Sequence, residues 1–88
     1  PDNFEYQMRV GEAYYDLRSP DWRMALAHWE KLRAAAGPEL RQQILNLHRA
    51  RVLGKLGRRE EARELLDQIH HTGLQKSKQQ VSAEIARF

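Results

Sequence analysis

The 88-residue sequence contains no cysteine, which excludes both a disulfide framework and a thiolate metal site. That absence fits the cytoplasm and the bacterial periplasm equally well, so the compartment stays undetermined. No apolar run approaches the roughly 20 residues that a membrane-spanning helix requires, and the first residues do not resemble a secretory signal. We therefore predict no membrane span. Because the chain begins at Pro1 rather than at methionine, we expect it to be a segment of a longer protein.

The short motifs that mark common catalytic sites are also missing. There is no glycine-rich phosphate loop, no nucleophile elbow and no zinc-ligand spacing. His70 and His71 are adjacent, so on a helix their side chains point about 100° apart and do not chelate as an i, i+4 pair would. We predict that the protein is not an enzyme and that it uses no cofactor or metal.

The composition is that of an ordinary globular domain, with 41% hydrophobic and 31% charged residues. The length fits a single domain, residues 1–88, with one core. The net charge of +3 is uneven, because residues 1–44 carry six Lys/Arg and seven Asp/Glu whereas residues 45–88 carry nine and five. Such a basic half favours acidic partners, although on helices these charges more often form a solvated face.

The spacing of apolar residues predicts five helices and no strand. The predicted helices cover Phe4 to Leu17, Ser19 to the vicinity of Gly37, Pro38 to Leu56, Arg58 to His70, and residues 74–88. Ser19 is the predicted N-cap of the second helix, with Pro20 in its first turn, and Gly57 is the predicted end of the third. Short connections favour antiparallel neighbours, so the first four helices should form two hairpins.

Apolar stripes on these helices repeat one pattern. In the second helix, Ala25, Trp29 and Leu32 recur at spacings of four and three, as in the second helix of a tetratricopeptide repeat (TPR). The preceding segment, Val10 to Tyr15, resembles the first helix of that repeat, in which a small residue permits close helix approach and a tyrosine fills the hairpin core. The second copy has Ala50, Ala62, Leu66 and Ile69 at the matching positions. The chain therefore resembles the TPR family over roughly residues 7–70.

The resemblance implies an all-α α-solenoid fragment of two antiparallel helix-turn-helix hairpins, 4–36 and 38–71, closed by a C-terminal capping helix, 74–88. The copies are irregular, since Ala25 and Ala62 are 37 residues apart against a family period of about 34. The implied function is a protein-protein interaction or scaffold module within a larger protein or assembly. Two repeats are few, so adjacent repeats or a homodimer would cover the remaining apolar ends.

In the family geometry the first helix of each pair lines a concave groove. The residues that the resemblance places there are Arg9, Glu12, Tyr15, His48, Arg51 and Lys55. A basic, partly aromatic groove of this kind suits an acidic or C-terminal peptide of a partner protein.

The basic second half also supports an alternative, a helical domain that associates with nucleic acid. The residues that would carry such binding are Arg49, Arg51, Lys55, Arg58, Arg59 and Arg63. Glutamates interleaved with these cations weaken this alternative, so we expect a protein or peptide partner in preference to nucleic acid.

Overall fold

The computed structural model describes residues 3–35 and 37–88, and over those residues the protein is all-α with no strand. The predicted fold class is therefore confirmed at this level. The α-helices are α1 (Phe4–Ala13), α2 (Trp22–Ala34), α3 (Glu39–Lys55), α4 (Arg59–Asp67) and α5 (Gln75–Arg87), with short 3-10 helices at Tyr14–Asp16 and Thr72–Leu74. Within the described part of the chain, no helix has both the length and the apolar character needed to cross a membrane.

The connection between α1 and α2 differs from the prediction at both ends. The first helix ends at Ala13 rather than at Leu17, because the chain tightens into a 3-10 turn and Leu17 is already extended, with φ −70° and ψ 146°. The predicted Ser19 N-cap is wrong. The Asp21 carboxylate caps α2 instead, accepting a hydrogen bond from the backbone N–H of Met24 at 3.1 Å, so Pro20 precedes the helix.

The end of α3 follows the prediction, whereas the end of α4 does not. Gly57 has φ +84°, a left-handed conformation that favours glycine, and the N–H of Arg58 bonds the carbonyl of Leu53 at 2.9 Å, which closes α3. Helix α4 stops at Asp67 and not at His70. The buried side chain of Gln43 accepts the backbone N–H groups of His70 and His71 at 3.1 Å each, so those groups bond outside the helix.

Helix α3 is the centre of the fold, since it contacts α2, α4 and α5, while α1 packs against α2. Its buried residues therefore lie around much of its circumference instead of forming one stripe. The core contains residues of α2 to α5 and the α4–α5 connection: Ala25, Leu26, Trp29, Leu45, Leu47, Ala50, Val52, Leu53, Ala62, Leu66, Ile69, Val81 and Ile85.

Two glycines bring helices unusually close together. A Cβ at Gly11 would overlap the buried six-membered ring of Trp29, so α1 can reach α2 only because position 11 has no side chain. A Cβ at Gly54 would lie 2.8 Å from Cγ1 of Ile85 and 2.9 Å from Cδ2 of Phe88, so α5 approaches α3 in the same way. Gly11 lies in the segment Val10 to Tyr15, for which the resemblance implies a small residue at a close helix approach.

We predict that Gly11→Ala lowers the free energy of unfolding by about 1–2 kcal/mol, because overpacking against Trp29 outweighs the gain of about 1 kcal/mol in helix propensity. Urea denaturation measures this change. Arg9→Ala, at an exposed position of the same helix, is the control and should shift stability by less than about 0.5 kcal/mol. A Gly11→Ala variant more stable than the parent protein would contradict the close contact.

Candidate functional site

A surface cavity of about 540 Å³ lies where the 3-10 turn after α1 and the ends of α3 and α5 meet the start of α2. We call it the aromatic-basic groove and define it by its lining residues, Tyr15, Trp22, Arg51, Lys55, Glu84, Arg87 and Phe88. Three of these side chains are aromatic, three are cationic and one is acidic. The groove therefore combines a positive charge excess with aromatic walls.

Helix α3 supplies the two central cations. Arg51 and Lys55 are four residues apart, so they lie one above the other on the same helix face, with His48 one turn earlier. The ammonium of Lys55 lies 4.1 Å from the ring centre of Phe88 and 5.5 Å from that of Trp22. This arrangement is a cation–π contact of an exposed ammonium group with two rings, and it favours that position without neutralising the charge.

Arg51 is already partnered. Its Nε donates a hydrogen bond to Oε2 of Glu84 on α5 at 2.9 Å, and its guanidinium carbon lies 5.7 Å from the ring centre of Tyr15. Among the described residues, Lys55 and Arg87 have no carboxylate within salt-bridge distance. Two of the three groove cations are thus free of ion pairs.

His48 lies in the wall behind the groove and does not line it. Its ring stacks on the buried Trp29 with centres 4.1 Å apart and planes at 15°, and its Nδ1 is 2.9 Å from the hydroxyl oxygen of Tyr15. Burial, and secondarily the charge of Arg51, lowers the pKa of His48 to about 4. The imidazole is therefore neutral near pH 7 and adds no charge to the groove.

Tyr15 belongs both to this wall and to the groove lining. Burial raises the pKa of its phenol to about 12, against the opposite influence of Arg51 and of the Trp29 indole, so the hydroxyl stays protonated. The Trp29 N–H itself is buried and makes no hydrogen bond of regular geometry. Tyr15 and His48 thus form a neutral hydrogen-bonded pair between the core and the groove.

The structure brings together some of the predicted groove residues and not others. Tyr15, Arg51 and Lys55 line one cavity, and His48 supports it from behind. Arg9 and Glu12 are exposed on α1 and do not line the cavity. The charge of Glu12 reaches the site only as a small influence that raises the Tyr15 pKa.

The sequence prediction missed the groove residues Trp22, Glu84, Arg87 and Phe88. Glu84 in α5 and Phe88 at its C-terminal cap are four residues apart, so both lie on the same side of the helix, and this spacing could have been recognised in the sequence. Phe88 and Trp22 each contribute an aromatic ring to the groove lining. Both are only half-buried, which leaves part of each ring available at the groove.

The cations of the nucleic-acid alternative do not form a continuous free stripe. Arg51 pairs with Glu84, and Arg58 pairs with Glu61 at the start of α4, where the ion pair lowers the Glu61 pKa. Arg49 donates to Oδ1 of Asn46 at 2.8 Å and lies 3.5 Å from a carboxylate oxygen of Glu30. Three of the six cations are thus engaged with acidic side chains. Over residues 3–35 and 37–88, no group of three or more His, Asp or Glu side chains is arranged to hold a metal ion.

The lowered pKa of His48 predicts a specific loss of stability in acid. The unfolded chain takes up a proton on this imidazole near pH 6.5 but the folded protein only near pH 4, so stability falls as pH decreases through that window. Between pH 7 and pH 5 the contribution is about 2 kcal/mol. Urea denaturation of the parent protein and of His48→Gln should show a smaller pH dependence for the variant; equal dependence would contradict a buried neutral His48.

No protein-family model matches this chain, and comparison with curated proteins and with solved structures gives no match for it either. The geometry of the aromatic-basic groove is therefore the basis on which a function is proposed.

Proposed function

We propose that this chain is a non-catalytic protein-interaction module that binds an acidic segment of a partner protein in the aromatic-basic groove. One observation carries the proposal: three cationic and three aromatic side chains converge on one surface cavity whose lining includes a single acidic side chain. Acidic side chains, or the carboxylate of a peptide C-terminus, complement that charge.

The two unpaired cations explain why the ligand should be acidic. The Lys55 ammonium lies near two rings, and these contacts reduce the side-chain entropy that is lost when a carboxylate binds it. Arg87 is exposed at the rim, where it can attract an acidic chain without losing its hydration first. The half-buried rings of Tyr15 and Trp22 offer apolar contact to the neighbouring ligand side chains.

We further propose that the module is TPR-like and belongs to a larger protein or assembly. The contacts of α1 with α2, of α3 with α4, and of α5 with both α3 and α4 support this proposal, because stacked helix pairs in such arrays contact their neighbours in this order. Among residues 3–35 and 37–88, four large apolar side chains are exposed and are available to an adjacent repeat or a second copy: Tyr6, Leu17, Met24 and Leu40.

We predict that Lys55→Glu weakens the binding of an acidic peptide by about tenfold or more. The substitution replaces the ammonium group near the two rings with a carboxylate, which repels the acidic peptide. The probe is a short fluorescein-labelled peptide rich in Asp and Glu, measured by fluorescence anisotropy. Lys31→Glu is the matched control, because it changes the net charge equally at an exposed position of α2 outside the groove. This control should alter the affinity by less than about twofold.

Three further measurements separate this proposal from its competitors: peptide binding to a second variant, binding of a basic peptide, and binding to a DNA duplex at several salt concentrations. Arg51→Glu should also weaken the binding of the acidic peptide, while circular dichroism shows that the helices of the variant are intact. A Lys/Arg-rich peptide of the same length should not bind. Equal weakening by Lys55→Glu and Lys31→Glu, or tighter and steeply salt-dependent binding to a DNA duplex, would contradict the proposal and favour an unspecific charge effect or nucleic acid.

A further inference from the structure

The aromatic-basic groove has one acidic side chain among its lining residues, that of Glu84. Glu84 reaches from α5 to α3 and accepts the hydrogen bond from Arg51 at 2.9 Å. The Arg51 and Glu84 side chains are 27% and 25% exposed, so the pair is partly shielded from water yet open to the groove. The central cation of the proposed binding site is thus occupied by an intramolecular acid.

The backbone of α5 is fixed, so only the side chain of Glu84 is free to leave. Val81 and Ile85 of α5 are 2% and 1% exposed within the core, and the helix lies too close to Gly54 to shift inwards. A displaced Glu84 carboxylate has a second partner nearby, because Arg87 is three residues further along the same helix and is otherwise unpaired. Moving Glu84 from Arg51 to Arg87 would therefore leave no carboxylate without a cation.

We propose that the Glu84 carboxylate stands at the position that a carboxylate of the bound peptide takes, so that Glu84 competes with the ligand for Arg51. This inference rests on the proposed function of the groove. A guanidinium can hold a carboxylate through two parallel N–H donors, and Glu84 uses Nε of Arg51 alone. A ligand carboxylate that engages Arg51 through two donors replaces Glu84, which turns to Arg87.

The competition has a consequence for specificity. Weakly acidic segments do not outcompete a carboxylate that is tethered beside Arg51, because the tether gives Glu84 a high effective concentration. Segments with several carboxylates also engage Lys55 and so displace Glu84. Glu84 thereby raises the number of carboxylates that a partner segment needs for binding.

Glu84→Gln tests this inference in the intact chain. The amide keeps a hydrogen-bond acceptor for Arg51 but has no charge, so the labelled acidic peptide should bind about 3–10-fold more tightly than to the parent protein. Glu60→Gln is the matched control, since it makes the same change in net charge at an exposed position of α4 and should alter the affinity by less than about twofold. Thermal unfolding of each variant verifies that the fold is retained.

The results of these binding measurements distinguish failure of the inference from failure of the proposed function. Lys55-dependent binding that Glu84→Gln leaves unchanged or weakens would overturn the inference and retain the proposed function, because Glu84 would then only fasten α5 to α3. Equal tightening by Glu84→Gln and Glu60→Gln would overturn it as well, since net charge alone would account for the effect. Absence of Lys55-dependent binding in all variants would overturn both proposals.

Discussion

The stacking of His48 on Trp29 is the contact on which both the fold and the groove depend. Trp29 is fully buried, and its ring meets α1 at Gly11 and α3 at His48, so one side chain sets the distances among three helices. Because Arg51 and Lys55 lie one and two turns after His48 on the same face of α3, this contact also sets the position of these two groove cations. The ring stack therefore connects the core to the surface that we propose as the binding site.

The cations of the groove lie in front of a neutral layer, which consists of the Tyr15 and His48 side chains. His48 is neutral because it is buried and because the positive charge of Arg51 is close, and Tyr15 is neutral because it is buried. A charged imidazole behind Arg51 would add a like charge in a poorly hydrated place, which is unfavourable. The neutral pair instead supports a rim of cations that stay partly hydrated, and such cations exchange one carboxylate for another at little cost.

Helix type and the main core stripes could be read from the sequence, because they depend on local spacing. The stripe that contains Ala25 and Trp29 and the end of α3 at Gly57 are examples, since a period of three and four residues and a left-handed glycine act within a few residues. The N-cap of α2 was misassigned because Ser19 and Asp21 both suit a cap beside Pro20, and only the turn geometry decides between them.

The features that could not be predicted from the sequence depend on contacts between residues that lie far apart in the chain. The end of α4 is set by Gln43, which accepts a hydrogen bond from the N–H of His70, 27 residues away. The groove is completed by α5, whose Glu84 meets Arg51 across 33 residues. Local spacing places both residues on helix faces, but only the packing of α5 against α3 determines that these faces meet.

The most direct test of the central claim is a titration of the ¹⁵N-labelled protein with the acidic peptide, followed by two-dimensional NMR. The largest shift changes should fall on the indole N–H of Trp22 and on backbone amides around Tyr15, Arg51 and Phe88, while Trp29 and the exposed face of α4 change little. Shift changes centred on α4, or spread evenly over all basic residues, would contradict the assignment of the aromatic-basic groove as the binding site.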